Sequence, residues 1–173
     1  GVDPHDIFVV SVMPCTAKKS EATFPNLNDA CGDPDVDVVL TTREMVRMIR
    51  GEQIDPTHMP ETEFDSPLGS GTGAAVIFGA TGGVMEAALR YAAEVITGNK
   101  LEKLEFNEVR GVEGIKTASY KVGDLTVNVA VASGTGNAKK LLNMVKNGEL
   151  DVQFIEIMGC PGGCVNGGGQ PIQ

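Results

Sequence analysis

Apolar residues in this chain follow two rhythms, short unbroken runs and longer stretches at helical spacing. Ile7-Phe8-Val9-Val10-Ser11-Val12-Met13 is nearly continuous and rich in β-branched residues. That pattern predicts a strand buried on both faces of a parallel sheet. Pro14 ends it, and a loop rich in Asn, Asp, Gly and Pro covers about 23–35, before a short strand at Val36 to Leu40. Thr41 then opens a helix, with Glu44 three residues on completing a capping box. Its apolar face is Met45, Met48 and Ile49, and Gly51 is the expected stop. Residues 52–68 are irregular in pattern. A short apolar run at Ala74 to Phe78 and the turn Gly79-Ala80-Thr81-Gly82-Gly83 lead into a longer helix closed by Gly98. Its expected buried face is Val84, Ala87, Ala88, Tyr91, Ala92 and Val95.

The remaining third alternates in the same way. Strands are expected at Leu104 to Val109, Ile115 to Val122 and Leu125 to Val131, the last two as a hairpin turning at Gly123-Asp124. A helix with Ala138, Leu141, Leu142 and Val145 inside follows the turn 133–137, and Phe154 to Met158 is a final buried strand. The fold class is α/β, parallel or mixed sheets flanked by helices. No repeat or internal linker breaks the pattern.

Composition narrows the function. The 173 residues carry a net charge of −9, which argues against a nucleic-acid or anionic-membrane partner. No apolar run approaches the roughly 18 residues that membrane insertion needs. Aromatic content is only 5%, there is no Trp, and the 22 glycines point to loops that carry function. Both ends look cut, so the chain is read as a piece of a longer polypeptide.

Four cysteines are too few and too unevenly placed for a secreted disulfide scaffold, and metal or redox use in a reducing compartment is the better reading. Cys15 and Cys160 each follow an apolar strand, and Cys164 shares the closing Gly-rich loop with Cys160. Ligands of open parallel sheets bind at the carboxyl ends of strands, so the two loops are expected to converge on one crevice. Thiolate-only ligation favours an iron–sulfur cluster or zinc, and zinc is the runner-up because only one closely spaced Cys pair is present. Cys31 is read as an unused loop thiol, and His5 and His58 as solvated loop residues rather than ligands. Three Gly-rich stretches fail as phosphate loops: 69–74 does not follow a strand, 114–117 lacks the adjacent Gly-Lys, and 133–136 lacks the third glycine.

Taken together, these motifs resemble the catalytic H-domain of [FeFe]-hydrogenases. Met13-Pro14-Cys15-Thr16-Ala17-Lys18-Lys19-Ser20-Glu21 looks like that family's second cysteine signature, and the run from Met158-Gly159-Cys160-Pro161-Gly162-Gly163-Cys164 through Pro171 like its third. Leu40 to Glu44 and Phe78 to Arg90 match as well, so the resemblance covers essentially the whole of 1–173 as a partial H-domain of two-lobed type with its site in the cleft.

The resemblance implies an H-cluster, a [4Fe–4S] cube joined through a cysteine sulfur to a di-iron unit with CO, cyanide and a bridging dithiolate. On it, Cys15 and Cys160 ligate the cube and Cys164 bridges the two parts. Lys18 donates to a cyanide, and Met13, Pro14, Phe78, Gly79 and Met158 line the di-iron pocket. Glu21 is a further carboxylate beside the cluster or on a proton route. The implied reaction is reversible oxidation of H2 to protons, with ferredoxin or an NAD(P)-linked carrier exchanging electrons and maturation proteins loading the cofactor. The implied setting is an anaerobe, with a cytoplasmic location and a periplasmic alternative. The family's first cysteine signature, which carries the fourth cube ligand, is expected upstream of Gly1, and the 173 residues alone are expected to be inactive. The alternative is a hydrogenase-like iron–sulfur protein without hydrogenase activity, serving cluster assembly or H2 sensing. The intact Thr16-Ala17-Lys18 favours the enzyme.

Overall fold

In a computed structural model of the protein, residues 1–28, 31–63, 65, 73–98 and 114–172 are described. They divide into two compact units, Gly1–Thr62 with Gly167–Gln173, and Glu63–Asn166. One crossing falls in the irregular stretch 52–68 and the other in the closing Gly-rich loop.

The first unit is built on a parallel strand pair, β1 (Val10–Met13) and β2 (Val38–Thr41), with Val10 opposite Val38 and Met13 opposite Thr41. The short helix α1 (Ala17–Glu21) follows β1, and α2 (Thr42–Gly51) follows β2. Burial of β1 on both faces, expected from its apolar run, does not hold within the described residues. Val10 and Val12, which share one face of the strand, are exposed, while Ser11 and Met13 on the other face are half-buried. The capping box of α2 is present: Thr41 Oγ1 accepts from the Glu44 amide at 3.2 Å, and the Glu44 carboxylate accepts from the Thr41 amide at 2.8 Å. The expected stop moves. Gly51 is the last helical residue, Glu52 is the cap, and the left-handed residue is Gln53 at φ 57°. On the expected apolar face Met48 is exposed.

The second unit holds a three-stranded mixed sheet in the order β3-β4-β5. β3 (Ile115–Val122) and β4 (Leu125–Ser133) form the expected antiparallel hairpin, with Gly123 at φ +61° in its turn. β5 (Phe154–Met158) pairs with β4 in parallel. The apolar run at 74–78 is helical, forming most of α3 (Gly73–Ile77). β4 is the central strand, and its residues Val129–Ser133 are all buried. Val129 and Val131 pack against Met85 and Leu89 of α4 (Gly83–Thr97), while Ala130 and Ala132 pack against Ala138 and Leu141 of α5 (Thr135–Lys146). A strand covered on both faces reads as a continuous apolar run, as 129–132 does.

Helix α4 presents the face opposite to the expected one. Its buried residues are Gly83, Met85, Glu86, Leu89 and Ala93, whereas Val84, Tyr91 and Val95 are exposed. The helix is apolar on two sides, so helical periodicity alone does not select which side meets the sheet. On α5, Leu142 is likewise exposed while Leu141 is fully buried. The expected strand at 104–109 lies outside the described residues, as do residues 69–72 of the first Gly-rich stretch.

Candidate metal-cluster residues

The two cysteine motifs share one local design. β1 ends at Met13 and β5 at Met158, and a cysteine stands two residues beyond each end, Cys15 and Cys160. Each strand is parallel to a neighbour, so each cysteine follows a carboxyl end. The four cysteines of the chain form no disulfide.

In the second unit the loop after β5 is held by its backbone, since it has few side chains to pack. Ser133 Oγ accepts from the Gly162 amide at 3.1 Å, and the Gly162 carbonyl accepts from the Thr81 amide at 3.1 Å. The Val165 amide donates to the Gly79 carbonyl at 2.9 Å. Gly163 adopts φ +109°, and a Cβ there would run into the Gly79 carbonyl oxygen and lie 2.6 Å from the Thr81 nitrogen. Only glycine permits that approach. Cys164 opens a 3-10 turn, Cys164–Asn166, and its Sγ lies 3.9 Å from Met158 Sδ. Gly79 therefore backs the cysteine loop directly, and Met158 touches Cys164. Phe78, just before Gly79, is exposed.

The segment that backs this loop is itself fixed by a buried carboxylate that sequence reasoning did not single out. Glu156 reaches from β5 to the start of α4, accepting from the Gly82 amide and the Met85 amide, each at 2.7 Å. The first amides of a helix have no partner within it, and the positive end of its dipole favours an anion. Hydrogen bonds to a charged group contribute about 1.5–3 kcal/mol each. The signal was present in the sequence as a lone acid inside the apolar run Phe154-Ile155-Glu156-Ile157-Met158. Next to this cap, the buried hydroxyl Oγ1 of Thr81 has no hydrogen-bond partner among the described residues.

In the first unit, Cys15 is half-buried and leads into α1. Lys18 Nζ donates to Glu21 Oε1 at 2.7 Å, so the two predicted residues of this motif hold each other. Both side chains are 44% exposed, and a pair of that kind contributes about 0–1 kcal/mol. The ammonium is therefore easily redirected to a stronger anion. Lys19 is the anchored lysine, donating to the Val39 carbonyl at 2.7 Å and lying 2.9 Å from Glu44. The Glu44 carboxyl is lowered to about 2, first by the Thr41 backbone amide and then by the Lys19 ammonium and the Thr41 hydroxyl.

The end of the third cysteine motif belongs to this first unit and docks on the second motif. The Gly169 amide donates to the Pro14 carbonyl at 2.8 Å. In return the Gly169 carbonyl accepts from the Arg43 amide at 3.1 Å, and Arg43 Nη2 donates to the Gly168 carbonyl at 2.6 Å. A Cβ on Gly169 would meet Pro14 and Thr41 at 2.9–3.0 Å. Met13 and Pro14 are half-buried beside these contacts. Arg43 is a second residue whose role was not anticipated, although its phrase Thr41-Thr42-Arg43-Glu44 stood out.

No helix of the described residues is long and apolar enough to cross a membrane. A family model, iron only hydrogenase large subunit, C-terminal domain, matches residues 1–168. The NADP-reducing hydrogenase subunit HndD of Solidesulfovibrio fructosivorans is 51% identical over 171 residues, covering 99% of this chain and 29% of that protein. At lower identity, 30% over 174 residues, the chain matches the cytosolic Fe-S cluster assembly factor narfl of Xenopus tropicalis, covering 98% of this chain and 37% of that one. Among solved structures, a variant of [FeFe]-hydrogenase HydA1 from Chlamydomonas reinhardtii superposes with a TM-score of 0.73 at 41% identity, over 98% of this chain and 50% of that chain. The chain thus spans half or less of the length of these relatives. It belongs to the iron-only hydrogenase large-subunit family and corresponds to that family's C-terminal domain.

Proposed function

We propose that this chain is the part of an [FeFe]-hydrogenase that supplies three cysteine ligands and much of the protein environment of an H-cluster. The observation that carries the reading is the loop 159–166. Its backbone is fixed on Gly79, Thr81 and Ser133, and it presents Cys160 and Cys164 with Met158 beside the latter. Such a loop spends its backbone hydrogen bonds on shape, and thiolate is the ligand type that iron–sulfur clusters take. Cys15 and Cys160 are assigned to the cube and Cys164 to the bridging position. Met13, Pro14, Phe78, Gly79 and Met158 are assigned as lining.

Two features fit such a group. The donor set is thiolate-only, which suits iron–sulfur ligation. The buried Thr81 hydroxyl lacks a partner among the described residues, and a buried donor left so costs about 1–3 kcal/mol until an acceptor is supplied. When bound, the H-cluster supplies the heterolysis of H2 and its reverse, with electron exchange. The chain's own share is to orient it, to donate a charge-assisted hydrogen bond from Lys18 to an anionic ligand, and to place Glu21 as a carboxylate that holds or passes a proton. Breaking the exposed Lys18–Glu21 pair frees both groups for these roles. Electron exchange with ferredoxin or an NAD(P)-linked partner, loading by maturation proteins and a cytoplasmic location complete the reading.

The competing function is a cluster-carrying protein without hydrogenase activity. The higher identity to HndD than to narfl favours the enzyme. The test is anaerobic loading of the full protein by the maturation system, followed by iron determination and H2 evolution from a reduced electron donor. Iron incorporation together with H2 turnover is expected. Stable iron loading without any turnover would select the cluster-carrying alternative, and no iron above background would sink both.

A further inference from the structure

Outside the cysteine motifs, one cluster brings together three different metal-ligating side chains. His5, Cys31 and Asp33 place ligand atoms all within 4.8 Å of one another. His5 Nδ1 lies 2.8 Å from Asp33 Oδ2, and Cys31 Sγ lies 3.8 Å from the same oxygen. They stand on the segments that lead into β1 and β2, two parallel strands that therefore begin at the same end. Cys15 follows the other end of β1, and a four-residue strand spans about 13 Å. This group is thus separate from Cys15.

The backbone around the cluster is built rather than loose. Asp3 Oδ1 caps the 3-10 turn Pro4–Asp6 by accepting from the His5 amide. The Gly32 amide donates to the Asn28 carbonyl at 3.1 Å and the Asp35 amide to the Leu27 carbonyl at 3.0 Å, which closes the turn that carries Cys31. Val9 and Asp37 tie the two segments together, the Val9 amide donating to Asp37 Oδ2 and the Asp37 amide to the Val9 carbonyl. A cleft of about 390 Å³ opens over the cluster, and Asp6, Asp35 and Asp37 also line it. That acidic lining raises the local concentration of cations.

We propose that His5, Cys31 and Asp33 form a divalent-metal site for zinc, with water or a cleft carboxylate as the fourth ligand. Zinc takes imidazole, thiolate and carboxylate donors at about 2.0–2.3 Å in a tetrahedron, which sets those donors about 3.3–3.7 Å apart. The sulfur–oxygen separation, 3.8 Å, lies just above that range and closes by only about 0.1 Å on binding. The nitrogen–oxygen pair opens by about 0.5 Å as its hydrogen bond is replaced by two metal bonds. His5 and Asp33 are more than half exposed, so the adjustment needs only rotation of surface side chains. The thiol of Cys31 gives up its proton to solvent on binding, so affinity falls as pH is lowered. Sequence spacing conceals the site, because 28 residues separate His5 from Asp33.

The experiment is titration of the full protein with Zn2+ alone, and with Co2+ to read the sulfur-to-cobalt charge-transfer band. Because Cys15, Cys160 and Cys164 also take metals, wild type is compared with Cys31→Ser, His5→Gln and Asp33→Asn. Wild type is expected to bind one equivalent more than Cys31→Ser. His5→Gln and Asp33→Asn, which keep every cysteine and alter only exposed positions, are expected to weaken that equivalent about tenfold or more. Equal stoichiometry in wild type and Cys31→Ser would overturn the proposal. So would unchanged affinity in His5→Gln and Asp33→Asn, and these two decide the matter alone should Cys31→Ser not fold.

Discussion

The first unit is pinned by one carboxylate with several partners. Glu44 accepts from the Thr41 amide and hydroxyl and faces the Lys19 ammonium, which in turn holds the Val39 carbonyl. These contacts lower its carboxyl from 4.5 to about 2. Since the folded-state value lies below the unfolded one, the associated stability is fully present above about pH 4.5. It is lost as pH falls through the folded value near 2. Wild type is therefore expected to be more resistant to urea than Glu44→Gln at neutral pH, with the gap closing below pH 4.5 and vanishing near 2. A gap independent of pH would show that shape, and not the charge of Glu44, carries the effect. This residue was legible in the sequence as a capping box, because a cap depends on positions three apart. Its Lys19 partner was not, because that contact is made only once β1 and β2 pair.

At the scale of elements, the sequence marks where apolar segments lie better than which side they bury. The hairpin of β3 and β4 and the final strand β5 follow from their runs and the Gly123-Asp124 turn. For α4 the pattern is ambiguous, since Met85, Leu89 and Ala93 compete with Val84, Tyr91 and Val95 for the sheet. Two contacts from distant strands decide it, the valines of β4 beneath the helix and Glu156 on its first amides. Buried Glu86 is tolerated on the chosen face because Arg90 donates to it through Nε and Nη2 at 3.0 and 2.8 Å. The loop after β5 depends in turn on the start of this helix, through Gly163 against Gly79 and Thr81. Gly163→Ala must relieve both a positive φ and a collision with backbone, at a cost of about 1–3 kcal/mol for the dihedral alone. The expected outcome is a lower denaturation midpoint and reduced iron content after reconstitution. Wild-type values for both would mean that the loop relaxes without displacing Cys164.

For the molecule as a whole, the distribution of the cysteines is the main constraint on the proposed function. Cys15 lies in the unit Gly1–Thr62 with Gly167–Gln173, whereas Cys160 and Cys164 lie in Glu63–Asn166. The third cysteine motif is itself divided, since the chain passes from one unit to the other between Asn166 and Gly167. Its last glycines are then bound to Pro14, which directly precedes Cys15, and to Arg43 at the start of α2. The motifs were legible as linear strings, but this division was not, because it arises from backbone bonds between residues 155 positions apart. On the proposed ligand assignment, Cys15→Ser and Cys160→Ser are each expected to lower the iron content of the reconstituted full protein. Thermal unfolding of the iron-free proteins should stay close to wild type, since both positions are only half-buried. Retention of the full iron complement by either variant would exclude that cysteine as a ligand. Loss from Cys160→Ser alone would confine the bound iron to the second unit and remove Cys15 from the proposed ligand set.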